Sequence, residues 1–380
     1  MGRRSRSGTV WFATSALALG LFSFGSIPNA SAGIKIGEKF TLSSDFRFRY
    51  EIDDERRTGT TSNQRTRDRW RIRFRLGFTY DHSDRVQFGM RLRTEADSAQ
   101  SPHETLGENS FSTDSGKSQD FGLDRAYIKF KWLESGFAWL GKNQAAIWQQ
   151  NEQFWDADFQ AEGATAGYAL PLGDKNKVTL QGSYYLIAED SFGGGGGVFN
   201  DRAILPIQVV YNRNLGPAGL TLAGLVAPTT APDNTANTAF PGGRRTYYMY
   251  SAQAKLQGLP VPVTVGYEGY YGNSSRAGHG AALRVKPLKE WPLELRGYYY
   301  YVPLNSVPLQ GAIVQDDFRF SSNFKGFQLV ANYKFAPNLN IQFRAMPQDT
   351  IDENVTGVDT NIVQTSGYNT RYQMNLNIKF

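Results

Sequence analysis

Between Phe40 and Phe380 the chain divides into about sixteen stretches of alternating apolar and polar residues, and the connections between them alternate as well, short then long. The stretches begin near Phe40, Arg69, Arg85, Gly122, Phe137, Gly163, Lys177, Arg202, Ala218, Arg245, Val261, Gly278, Pro292, Lys325, Asn338 and Tyr368. The short connections read DHSD, LESG, PLGDKN, NLGPA, QGLP, PLKE and APN. The long ones span 52–68, 95–120, 143–160, 189–201, 228–243, 303–323 and 348–366, and NSSRA (273–277) is the short member of that series. A two-residue period sends successive side chains to opposite faces of a strand. A strand of about 9–11 residues crosses a bilayer when tilted. Turns at one end and loops at the other predict an all-β fold: a transmembrane antiparallel β-barrel of about sixteen strands, with its short turns on the periplasmic side and its long loops outside. A soluble sandwich has no reason to keep that parity through so many strands.

Residues 67–80, RDRWRIRFRLGFTY, show what such a barrel holds inside. Arg67, Arg69, Arg71, Arg73 and Arg75 share one face; Trp70, Ile72, Phe74, Leu76, Phe78 and Tyr80 share the other. Turning the arginines to lipid would cost about 2–4 kcal/mol each at the bilayer midplane, so they face the lumen. By the same rule Asp45, Arg47, Arg49 and Glu51 point inward from the first strand, Arg91 and Arg93 from the third, and Asp124, Arg125 and Lys129 from the fourth. The expectation is a pore-lining basic wall of Arg47, Arg49, Arg71, Arg73, Arg91, Arg93 and Arg125. Like charges on neighbouring strands repel, and rings of one sign set ion selectivity in channels. A mild anion preference is therefore expected.

The two ends of the chain point to export. Arg3, Arg4 and Arg6 precede the apolar stretch TVWFATSALALGLFSFG, and Ala30–Ala32 form a small-residue cleavage box. Residues 1–32 are expected to be a cleaved signal peptide and 33–380 the barrel. The formal charge of +6 includes those three arginines, which leaves +3 for the mature chain. The absence of cysteine excludes Cys-ligated haem, iron–sulfur and zinc sites. Tyrosines gather at strand ends (Tyr247, Tyr248 and Tyr250; Tyr267, Tyr270 and Tyr271; 298–301), as aromatic belts at membrane surfaces do. In YNTRYQMNLNIKF the residues Tyr372, Met374, Leu376, Ile378 and Phe380 share one face.

That final strand resembles the C-terminal signature of outer-membrane barrels, which implies recognition of Tyr372, Leu376, Ile378 and Phe380 by the barrel-assembly machinery. LDRAYIKF, followed by GKNQAAIWQQNEQFWDADFQAEGA, resembles the "putative porin" families of Gram-negative bacteria. In sixteen-stranded porins the third external loop folds inward and its acids face a basic wall. Carried over by position, the constriction acids are Glu152, Asp156 and Asp158, and Trp148, Phe154, Trp155 and Phe159 would anchor the loop. The Pro-Glu-Phe-Gly type motif of enterobacterial porins is absent. The resemblance implies passive diffusion of small hydrophilic solutes and ions through the bacterial outer membrane, contact with membrane lipid and lipopolysaccharide, and a homotrimer. Two alternatives stay open. One is a substrate-specific anion channel for phosphate or an anionic oligosaccharide, as in phosphate-selective porins and alginate-export channels. The other is a barrel sheath around a multihaem cytochrome in electron export.

An enzyme is not expected. His82, His103 and His279 have no partners at metal-ligand spacing. GGGGG (193–197) lacks the Gly-Lys-Ser/Thr of a phosphate loop, and DADFQAE is a lone acidic cluster. No catalytic residue, metal, cofactor or nucleic-acid partner is expected.

Overall fold

The computed structural model describes residues 33–56, 64–94, 101–107, 120–188, 202–230, 245–273, 275–287, 291–308, 317–355 and 363–380. The expected signal, 1–32, and GGGGG lie outside them. Sixteen antiparallel strands close into a barrel. In chain order they are β1 (Phe40–Arg56), β2 (Gln64–Asp81), β3 (Val86–Thr94), β4 (Phe121–Trp132), β5 (Gly136–Gln144), β6 (Gln160–Pro171), β7 (Asn176–Ala188), β8 (Ile207–Asn214), β9 (Ala218–Pro228), β10 (Thr246–Leu256), β11 (Val263–Gly272), β12 (Gly278–Val285), β13 (Leu293–Val302), β14 (Phe324–Ala336), β15 (Leu339–Thr350) and β16 (Tyr368–Lys379). Each pairs with the next, and β16 pairs with β1 from Tyr368↔Arg56 to Lys379↔Asp45. Closure leaves no barrel strand with an unpaired edge, which a strand in lipid requires.

The alternation in the sequence becomes the two faces of the wall. Outward residues such as Trp70, Leu76, Phe88, Leu140, Leu180 and Phe343 stay exposed, ready for hydrocarbon. Inward residues of the same strands, including Arg49, Glu51, Arg73 and Asn375, are buried. Tyr248, Tyr250, Tyr267, Tyr271 and Tyr299 are exposed near the loop end, with ring contacts Tyr248–Tyr271 and Tyr250–Tyr267. They form part of the outer aromatic girdle.

Two boundaries differ from the sequence pattern. The first connection is not 52–68 but 57–63, because β1 and β2 stay paired beyond the apolar stretch. Ionic contacts hold them there: Arg67 Nη2 donates to Asp53 Oδ2 at 2.7 Å, and Arg69 pairs with Glu51. The eighth strand does not run unbroken from Arg202. Residues Arg202–Ile204 pair with β7, the ladder breaks at Leu205–Pro206, and β8 begins at Ile207. Proline has no N–H for the ladder.

Three segments of the external connections turn into the lumen. Residues 101–103 turn inward, and Glu104–Thr105 return to the wall, pairing with Ile72 and Arg71 of β2. Residues 145–159 cross the bore. Residues 317–323 pack against β14 and β15. Phe154 and Trp155 of the second segment and Phe318 of the third are buried among inward side chains such as Trp139, Tyr185, Tyr270, Tyr300 and Met346. Burial of each large side chain contributes about 1.5–3 kcal/mol, so the loops are held by an apolar core on one side of the lumen. The opposite side, β16 through β4, remains polar.

Candidate functional site

The polar side is built in rows across β16, β1 and β2. Register places Lys379, Asp45 and Arg75 in one row, then Asn377, Arg47 and Arg73, then Asn375, Arg49 and Arg71, then Gln373, Glu51 and Arg69, then Arg371, Asp53 and Arg67. Each outer row sets a carboxylate between or beside cations, so that no two arginines stand directly opposite each other. Asp45 accepts from Arg75 Nε at 2.7 Å and from Arg73 Nη2 at 2.9 Å. Asp53 accepts from Arg371 Nε at 2.6 Å. The two middle rows set arginine opposite arginine, an arrangement that costs stability unless something intervenes.

Amides and inward segments intervene. Arg47 Nε donates to Asn377 Oδ1 and Arg49 Nε to Asn375 Oδ1, both at 2.7 Å. An amide oxygen orients a guanidinium without cancelling its charge. Asp158 reaches the Arg47·Arg73 row, where Arg73 Nη1 lies 3.3 Å from each carboxylate oxygen and Arg75 Nη1 donates at 3.0 Å. Asp317 reaches the Arg49·Arg71 row, 3.3 Å from Arg49 Nη2, and also pairs with Arg344 of β15. His103 Nε2 lies 3.4 Å from Arg47 Nη1, and its carbonyl accepts from Arg71 Nη2 at 2.8 Å. Burial pushes the Asp158 carboxyl up, but the Arg73 and Arg75 charges outweigh it and hold the group well below the carboxylate range. Burial, together with Arg49, Arg47, Arg71 and Arg73, holds the His103 imidazole well below its ordinary range.

The loop 145–159 is fastened at several points across the bore. Trp148 N–H donates to Gln208 Oε1 at 2.8 Å, and Gln208 Nε2 donates back to Trp148 O at 2.7 Å. Gln150 N–H donates to Glu268 Oε2 at 2.8 Å, and Gln153 Nε2 to Ser321 O at 3.0 Å. Gly266 makes room for it: a Cβ there would lie 2.4 Å from Gln150 Oε1. At the loop's base Gly141 and Gly163 face each other in register, with φ of +113° and +144°. A Cβ on Gly163 would meet Tyr184 O at 2.0 Å.

The expected site residues take different places. Arg47, Arg73, Arg91 and Arg125 line an open cavity of about 550 Å³ toward the short-turn end. Arg49, Arg71 and Arg93 are buried beneath the inward segments. Arg91 and Arg93 share Asp124, and Arg93 Nε lies 3.8 Å from it. Of the three loop acids, Asp158 docks on the wall and Glu152 is exposed to the cavity, near Arg296 and Arg344. Asp156 is buried, and its Oδ1 accepts from Asp158 N–H at 2.6 Å, shaping the turn. Tyr372, Leu376, Ile378 and Phe380 form the outward face of β16, which puts the amides of that strand inward. Sequence reasoning missed Asp317, Arg296, Arg344, Lys334, Glu268 and the bracing amides. The alternation QMNLN in β16 was the available signal for the amides. Among the described residues no group of three or more His, Asp or Glu side chains could hold a metal ion.

Residues 44–199, which carry the first part of the wall and the whole inward loop, match a family described as "Putative porin". Over nearly its full length the chain superposes on porin structures. The chain has the fold of an outer-membrane porin barrel. Salmonella typhi OmpF, solved in complex with daunomycin, matches with TM-score 0.54 at 13% identity, over 92% of this chain and 100% of that one. Pseudomonas putida OprB, in a high-pH structure, matches with TM-score 0.56 at 12% identity, over 90% and 94%. These likenesses establish the fold of the porin barrel. No curated protein matches this porin barrel in sequence.

Proposed function

We propose that this porin barrel is a water-filled channel through which small hydrophilic solutes and ions diffuse passively, with a preference for anions, and that it is not a catalyst. The observation that carries the reading is the charge of the cavity lining. Nine cations, seven of them arginines, face four carboxylates (Asp45, Glu152, Asp158 and Asp317), an excess of five positive charges. Arg47 and Arg125 are braced by amides: Arg125 Nε donates to Gln160 Oε1 at 2.7 Å and Nη2 to Gln144 Oε1 at 3.1 Å. Neither forms an ion pair among the described residues, so their charge is left for permeating ions. A single-sign lining favours counter-ions at the narrow part of a pore.

Residues 1–32 are the cleaved export signal in this reading, and Tyr372, Leu376, Ile378 and Phe380 the signal read by the assembly machinery. Trimerisation, and contact of the outer girdle with lipopolysaccharide, belong to the same proposal. A sheath around a cytochrome fits less well, because three segments of the chain itself occupy the lumen. The zero-current potential of purified protein in planar bilayers under a KCl gradient tests the reading. An anion-selective potential supports it; a cation-selective one overturns it.

A further inference from the structure

Two chemically different stretches of lining border the 550 Å³ cavity and meet at the β16–β1 seam. One, from β1 to β4, presents the guanidinium groups of Arg47, Arg73, Arg75, Arg91 and Arg125. The other, from β14 to β16, presents Asn332, Asn340, Gln342 and Asn377, with Arg344 beside Gln342 and with Lys334 and Lys379 at the mouth. The amides are already partly engaged in a way that leaves defined groups over. Asn377 Oδ1 is taken by Arg47, and Gln342 Oε1 accepts from Arg344 Nε at 2.6 Å, so each offers its NH₂ to a solute. Asn340 Nδ2 donates to Asn332 Oδ1, which leaves an acceptor on Asn340 and a donor on Asn332.

A bath of chloride needs only the first stretch. Inorganic phosphate would also use guanidinium forks alone. Amides, which both donate and accept, match hydroxyl groups, which do the same. The volume falls in the range of about 300–1,000 Å³ that suits small organic ligands. We infer that the cavity is a binding subsite for small hydroxylated carboxylates, the class of sugar acids, with the carboxylate on the Arg47–Arg125 side and the hydroxyls on the amide side. The inference rests on the anion-channel reading and narrows it to a substrate class. Asp158 shows that a carboxylate is accommodated at the Arg73 and Arg75 guanidinium groups.

The test is block of chloride current in planar bilayers by D-glucuronate, compared with hexanoate, glucose and inorganic phosphate. Glucuronate should block saturably, with half-block at a concentration about tenfold lower than for hexanoate, which lacks hydroxyls, or phosphate. Glucose, which lacks charge, should block least. In Asn340→Ala the glucuronate advantage should shrink; in Arg125→Gln both that advantage and the anion-selective zero-current potential in KCl should fall. If hexanoate or phosphate blocks as well as glucuronate in an anion-selective channel, the subsite inference is overturned and the channel reading stands. If the channel is cation-selective, the reading beneath it fails first.

Discussion

Charge inversion at position 47 tests the wall most directly. Arg47 lines the cavity, has an amide rather than an acid on its Nε, and lies in a doubled-arginine row. Arg47→Glu lowers the positive excess of the lining from five to three. An ion passing about 5 Å from that position interacts with a unit charge by about 0.8 kcal/mol at the dielectric constant of water. Inversion swings this by about 1.7 kcal/mol, unfavourably for an anion and favourably for a cation. Screening at about 0.1 M salt reduces each swing to about 1 kcal/mol. The anion-to-cation permeability ratio should thus drop by about 2 kcal/mol, roughly thirtyfold. A confined lumen polarises less than bulk water, which makes this a lower bound. Zero-current potentials of wild type and variant give the ratio, and heat-modifiable migration on gels confirms that the barrel has folded. A folded variant whose ratio moves by less than about twofold would refute the assignment of Arg47 to the ion path.

Three further outcomes are expected. Glu268→Ala removes the acceptor for Gln150 N–H and leaves a buried donor unpaired, at about 1–3 kcal/mol; single-channel records should show a higher or noisier open conductance, and unchanged records would exclude a tethering role. Gly163→Val forces a side chain against Tyr184 O at a positive φ, so the fraction of folded barrel recovered from detergent refolding should fall well below that of a Gly182→Val control, whose Cβ site is open. His103 takes up its proton at lower pH in the folded chain than in the unfolded one, so it costs stability as pH falls below about 6.5. His103→Gln should therefore lose less thermal stability than wild type between about pH 6.5 and 4, while equal losses would show that His103 does not titrate against the wall.

The barrel was legible because lipid and water enforce a period of two on every strand, and turn chemistry marks the ends. The inward face of 67–75 followed from the cost of arginine in hydrocarbon. What lay out of reach was partner choice across distant strands. Asp317, 268 residues from Arg49 in sequence, reaches the middle of the wall only because 317–323 turns inward. Nothing local in the sequence distinguishes it from an external acid. Asn375 and Asn377 looked like the polar half of an alternating strand, and only the closing register shows which arginines they brace. The boundary at Pro206 was missed because a two-residue break is shorter than the window over which alternation is judged.

Because the last strand supplies the amide braces and the first strand the arginines they hold, the seam of the barrel is also the middle of its charged wall. A chain still waiting for its C-terminal strand has its arginines but not their orientation. Ion discrimination should accordingly emerge only in the final act of assembly, and damage to that seam should blur selectivity before it opens the cylinder.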